Sequence, residues 1–284
     1  MYMREILRCI MNKYSEETLI KIEKELDLNC PSPESNLIKL GQCVATLPDG
    51  EGAAKLRRLV FDIDDLTAQI RWHLGQALLL MDTQPGILNA GEDDDPIIKG
   101  MGMATGAQLL LRGYIIEADR VLYDDLSTPR RGGTVGGWIF HMMIDGAVYR
   151  AISALDRLAT ILWHAAELPM ERIYFRSGKI KKLHKAICSD ETARLLQIAE
   201  GKLLNFIIDY RDGLTHSTKA YSRSSGFTPS EQWKDKDGRL VVWDESAWNA
   251  EMLFALGRAS YLQFTDALEP SVSICEKKWP IKSE

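Results

Sequence analysis

Arg211, Asp212 and His216 place a permanent cation, a carboxylate and a histidine within two helical turns, in the stretch Arg211-Asp212-Gly213-Leu214-Thr215-His216. Arginine grips phosphate oxygens through a rigid fork of donors, and histidine has an ordinary pKa of about 6.5, near neutral pH. RNA carries its own nucleophile, the 2′-hydroxyl beside each phosphate. Cutting it takes a base for that hydroxyl, an acid for the departing 5′-oxygen, and a cation for the charge gathering on the phosphoryl oxygens. His216 can serve as base or acid and Arg211 as the cation. Asp212 can orient either of them, or the backbone. Such a set calls for no metal and no cofactor.

The spacing sets a geometric condition. On a continuous helix, five steps of about 100° leave Arg211 and His216 about 140° apart around the axis. Two routes bring them together. Gly213 can end or kink the helix, or two such helices can meet at a twofold seam, where Arg211 of one chain approaches His216 of the other.

Apolar residues recur at helical spacing along nearly the whole chain, which predicts an all-α fold. Ile6, Leu7, Ile10 and Met11 form a first stripe, and Ser15 is placed to cap a helix carrying Leu19, Ile22 and Leu26. Pro31 and Pro33 precede a helix at about 36–46, and a long one follows at about 53–81. A loop at 85–96 holds Glu92-Asp93-Asp94-Asp95, and another helix is expected at about 103–126. The Gly-rich stretch 130–137 marks a boundary between an N-terminal helical region, 1–130, and a second unit, 131–284. That unit reads as helices at about 138–168 and 179–187, a long one from Glu191 to Tyr210 that leads into the motif, and a last one at about 245–268, stopped by Pro270. One small β-hairpin is expected at 232–243, turning on Asp237-Gly238.

With 284 residues and 45% apolar content, the chain has ample material for a packed core. Its uninterrupted apolar runs, such as Ala77 to Met81, are far shorter than a bilayer span, so no membrane role is expected. Arg4, Glu5 and Arg8 interrupt the first apolar stripe, unlike a signal peptide. Five scattered cysteines without a CxxC pair argue for a reducing cytoplasm and against a zinc site. The net charge of −5 is uneven. Residues 1–130 carry 14 Lys/Arg against 21 Asp/Glu (−7), and residues 131–284 carry 21 against 19 (+2). The C-terminal region is thus the better suited to an anionic polymer.

The motif matches the Arg-polar-x3-His signature of the HEPN superfamily, and residues 138–284 resemble that family. A long helix, a short basic one, the motif-bearing helix and a closing helix stand there in the family's order. The resemblance implies a HEPN-like helical bundle and a homodimer. It implies a metal-independent endoribonuclease of the toxin or phage-defence kind, with Arg211 and His216 catalytic and Asp212 as the polar neighbour. An antitoxin or a nucleotidyltransferase is the protein partner it suggests. The N-terminal region has no counterpart there, and the 217–243 insertion is long for a small bundle.

RNA has candidate contacts near the motif. Arg172, Arg176, Lys179, Lys181, Lys182 and Lys185 form a basic cluster with no acid between them, able to track a phosphate backbone or simply to make a solvated helix face. Lys219, Tyr221 and Arg223 follow His216, where a strand could run and Tyr221 could stack on a base. Plainer readings stand beside these. Arg211 can be a surface residue paired with Asp212 or Glu245, and His216 can cap helix carbonyls. A non-catalytic HEPN module, binding a nucleotide, a nucleotidyltransferase or an antitoxin, would carry the same motif. Glu92 to Asp95 lacks the spacing of a calcium loop and reads as a solvated acidic loop. His73, His141, His164 and His184 have no partner at metal-ligand spacing.

Overall fold

The structure is a computed structural model that describes residues 15–83, 129–130, 133–169, 173–216, 233–234, 240–241 and 250–281, with the backbone alone for the short strands and for 135–139 and 212–216. Expectations for 1–14, for the loop at 85–96, for the helix at 103–126 and for the turn at Asp237-Gly238 lie outside the described residues.

Nearly all described residues are helical, and the fold is all-α. Helix α1 (Glu16–Asn29) starts where Ser15 accepts a hydrogen bond from the Thr18 N–H at 3.1 Å. Its Leu19, Ile22 and Leu26 turn inward, as their spacing requires. Beyond Pro31 and Pro33 come α2 (Glu34–Ala45) and the 33-residue α3 (Glu51–Thr83). Then follow α4 (Val135–Ala165), α5 (Ser177–Ile187), α6 (Asp190–Glu200), α7 (Lys202–His216) and α8 (Ala250–Lys278). Two antiparallel pairs of two-residue strands complete the picture: β1 (Pro129–Arg130) with β2 (Gly133–Thr134), and β3 (Trp233–Lys234) with β4 (Leu240–Val241).

Helix α4 is the axis of the molecule. It packs most extensively on α3 and α8, and α7 lies along it as well. At Gly257 of α8 a Cβ would stand 2.8 Å from Leu74 Cδ2 of α3 and 3.4 Å from Ile144 Cδ1 of α4, so glycine lets these three helices close on one another. Buried residues from 15–83 and from 140–281 belong to one continuous core. Among the described residues, therefore, the Gly-rich stretch near 130 does not divide the chain into separate cores.

Two elements differ from the sequence expectation. The segment Glu191 to Tyr210 is two helices, because Gly201 takes an extended conformation (φ −62°, ψ 133°) between α6 and α7. A Cβ at Gly201 would meet the Ile198 carbonyl oxygen at 3.0 Å, tight enough to disturb the turn. Conversely, α8 runs through Pro270 to Lys278. Proline interrupts the backbone ladder at a cost of about 3 kcal/mol. Phe264, Ala267, Leu268, Val272, Ile274 and Cys275 are buried on both sides of it, and their burial offsets that cost.

The C-terminal end of α1 is held by side chains from far along the chain. Arg71 donates to the Cys30 carbonyl, Arg258 Nε to the Asn29 carbonyl at 3.1 Å, and the Tyr261 hydroxyl to the Pro31 carbonyl at 2.7 Å. The Asn29 and Cys30 carbonyls are groups a helix leaves without internal partners, and the two arginines suit the negative end of its dipole.

Candidate functional site

Helix α7 packs on α4, and its Leu204, Phe206, Ile207 and Ile208 are buried. Its polar end carries the motif. Arg211 is half-buried, and its charge acts on Asp156 of α4. Asp156 Oδ1 accepts the Phe175 N–H at 2.8 Å. Burial pushes the Asp156 carboxyl up, while the Phe175 N–H, Arg211, Arg176 and Arg157 pull it back. Arg157 is also tied to Asp62 of α3, Nε to Oδ2 at 3.3 Å, and to the Ser153 carbonyl at 3.1 Å. Ile173 and Phe175 are buried and anchor the segment before α5, from which the charge of Arg176 acts on Asp156. The charges of three arginines thus act on one partly buried carboxylate. Such a set of charges can take a phosphate dianion or diester while the carboxylate holds the arginines in order.

Helix α7 continues through Gly213 to His216. Gly213 therefore does not end the helix. The glycine's intrinsic penalty, about 1 kcal/mol, is too small to break a helix that its neighbours support. Within one chain the two positions lie about 140° apart around α7. The side chains of Asp212 and His216 are outside the described set.

The basic cluster is dispersed. Arg176 acts on Asp156 with Arg211. Lys179 Nζ sits 5.7 Å from the Trp163 ring centroid, a cation–π contact. Lys181 pairs with Glu200 at 2.7 Å. Lys182 is exposed on α5. Arg172, Lys219, Tyr221 and Arg223 lie outside the described residues. Among the described residues no three His, Cys, Asp or Glu side chains are grouped to hold a metal, and no helix is long and apolar enough to cross a membrane.

Sequence reasoning missed Asp145, Asp156 and Tyr210. The Tyr210 hydroxyl donates to Asp145 Oδ1 at 2.6 Å, and burial raises the Asp145 carboxyl to about 7 against the opposing effect of that bond. A signal was present. Asp145 and Asp156 are the only acids in α4, a mainly apolar helix, and they stand eleven residues apart on one face.

No protein-family model, no curated protein and no solved structure matches this chain.

Proposed function

We propose that the chain is a homodimeric, metal-independent endoribonuclease of HEPN type, acting as a toxin or defence effector. The observation that carries this reading is that the charges of Arg211 and Arg176 both act on Asp156, which concentrates positive charge beside the motif helix. Arg211 grips the scissile phosphate there, Arg176 holds an oxygen of the same or the next phosphate, and Lys182 extends the cationic path. His216 moves the proton, and Asp212 orients the pair. That α7 does not break at Gly213 supports a composite active site, with His216 supplied by the second chain across a twofold seam. Incubation of the purified chain with mixed RNA in EDTA, alongside His216→Ala, tests the claim. Cleavage is expected from the first alone, and equal cleavage by both would remove it.

The unbroken α7 also favours a second reading, a non-catalytic HEPN module in which Arg211 and His216 serve different surfaces. Such a module binds a nucleotide, a nucleotidyltransferase or an antitoxin and leaves RNA intact in the same assay.

A further inference from the structure

Tyr210 stands immediately before Arg211, and its hydroxyl donates to Asp145 Oδ1 at 2.6 Å. Both partners are half-buried. Asp145 precedes Asp156 by eleven residues on α4, close to three turns, so the two carboxyls share a face about 16 Å apart along the axis. Two consecutive residues of α7 are thus linked to this face of α4, one by a hydrogen bond and the other through its charge. Tyr210 takes the first carboxyl, and Arg211 acts on the second.

Burial of Leu204, Phe206, Ile207 and Ile208 does not by itself fix the register of α7 on α4. Ridge-into-groove packing resists small slides but admits alternatives about one turn apart. A short hydrogen bond between groups shielded from water is directional, and it is lost after a shift of an ångström or so. We infer that Tyr210 and Asp145 form a positioning pair, which locks the motif helix in register on α4 and so holds Arg211 where it grips an RNA phosphate. Asp145 touches no substrate and acts through Tyr210 alone. The pair needs an acceptor at position 145 rather than a charge. This inference rests on the RNA reading above.

The test uses the full chain with an uncleavable 2′-O-methyl oligonucleotide for binding and the matching unmodified RNA for cleavage. Tyr210→Phe is expected to weaken binding about fivefold and to add nothing further in an Arg211→Ala background, because its effect passes through that arginine. Asp145→Ala should match Tyr210→Phe, and Asp145→Asn should recover most of the Asp145→Ala loss. A merely structural contact gives no such coupling to Arg211. Thermal melting of each variant establishes that the measurements are made on folded protein, and the near-isosteric Tyr210→Phe and Asp145→Asn keep the test open if Asp145→Ala does not fold. Independent, multiplicative effects of Tyr210→Phe and Arg211→Ala, or binding by Tyr210→Phe equal to that of the unaltered chain, overturn the positioning pair while leaving the RNA reading intact. An unaltered chain that neither binds nor cuts RNA overturns that reading and this inference with it.

Discussion

Arg176 and Arg211 act on the same carboxylate, Asp156, although three helices' worth of chain separates them. The link is topological. Arg176 leads into α5, Arg211 closes on α4 from α7, and Asp156 stands on α4 between them, with the Phe175 N–H already bound to it.

Asp156→Asn tests what that carboxylate does. The amide oxygen still accepts the Phe175 N–H, so the fold should persist, but one negative charge leaves the site. Binding of single-stranded RNA should tighten by about fivefold at about 0.1 M salt. Cleavage should slow, because the guanidinium groups lose the partner that orders them. Anisotropy titrations at two salt concentrations check the first effect, and a gel-based cleavage assay the second. Unchanged binding would show that Asp156 lies outside the RNA path.

The proposed composite site makes a sharper forecast. Arg211→Ala and His216→Ala should each be inactive alone. Mixed under conditions that let subunits exchange, they should regain about a quarter of normal activity, since half the dimers are mixed and each carries one intact site of two. A site built within one chain regains nothing on mixing. Activity measured against exchange time separates these outcomes.

Asp145 and His73 have opposite effects on stability as pH changes. Burial lowers the His73 pKa to about 4, helped by Arg150 and opposed by the bond from its ring N–H to the Gln69 carbonyl. Between about pH 4 and 6.5 the unfolded chain therefore binds the His73 proton more than the folded one does, and stability rises with pH. Asp145, raised to about 7, holds its proton in the fold where the unfolded chain has released it. Its contribution is complete below the ordinary carboxylate range and is lost as pH rises toward 7. The two slopes nearly cancel. Asp145→Asn removes one of them, so urea unfolding should show this variant gaining about 2 kcal/mol relative to the unaltered chain from about pH 4.5 to 6.5. His73→Gln should shift the opposite way.

Tyr261→Phe probes the clamp on α1. It removes the donor to the Pro31 carbonyl and leaves the buried ring in place. The loss should be about 1–2 kcal/mol in a denaturant titration, with an unchanged slope. A neutral result would mean that water replaces the hydroxyl there.

Much of the architecture is legible in the residue pattern. The Ser15 cap, the proline break before α2, the long α3 and α4 and the short basic α5 lie within a few residues of where the apolar spacing puts them. Half of the candidate site is legible too, since Arg211 is marked by its motif and Arg176 by its place in a basic run. Asp156 and Asp145 are not marked in this way, because an isolated acid on an apolar helix gains its meaning from whatever packs against it.

Local features follow from local physics: caps, periodicity and charge balance each depend on residues within a turn or two of one another. Whether Gly201, Gly213 or Pro270 interrupts a helix turns on about 1–3 kcal/mol, a margin that burial elsewhere in the core easily reverses. The helix breaks at Gly201 and runs on through Gly213 and Pro270. The charge cluster at Asp156 and the bond from Tyr210 to Asp145 likewise exist only because α7 lies along one particular face of α4. Side chains this far apart in the chain meet through packing, which no spacing along the sequence encodes by itself.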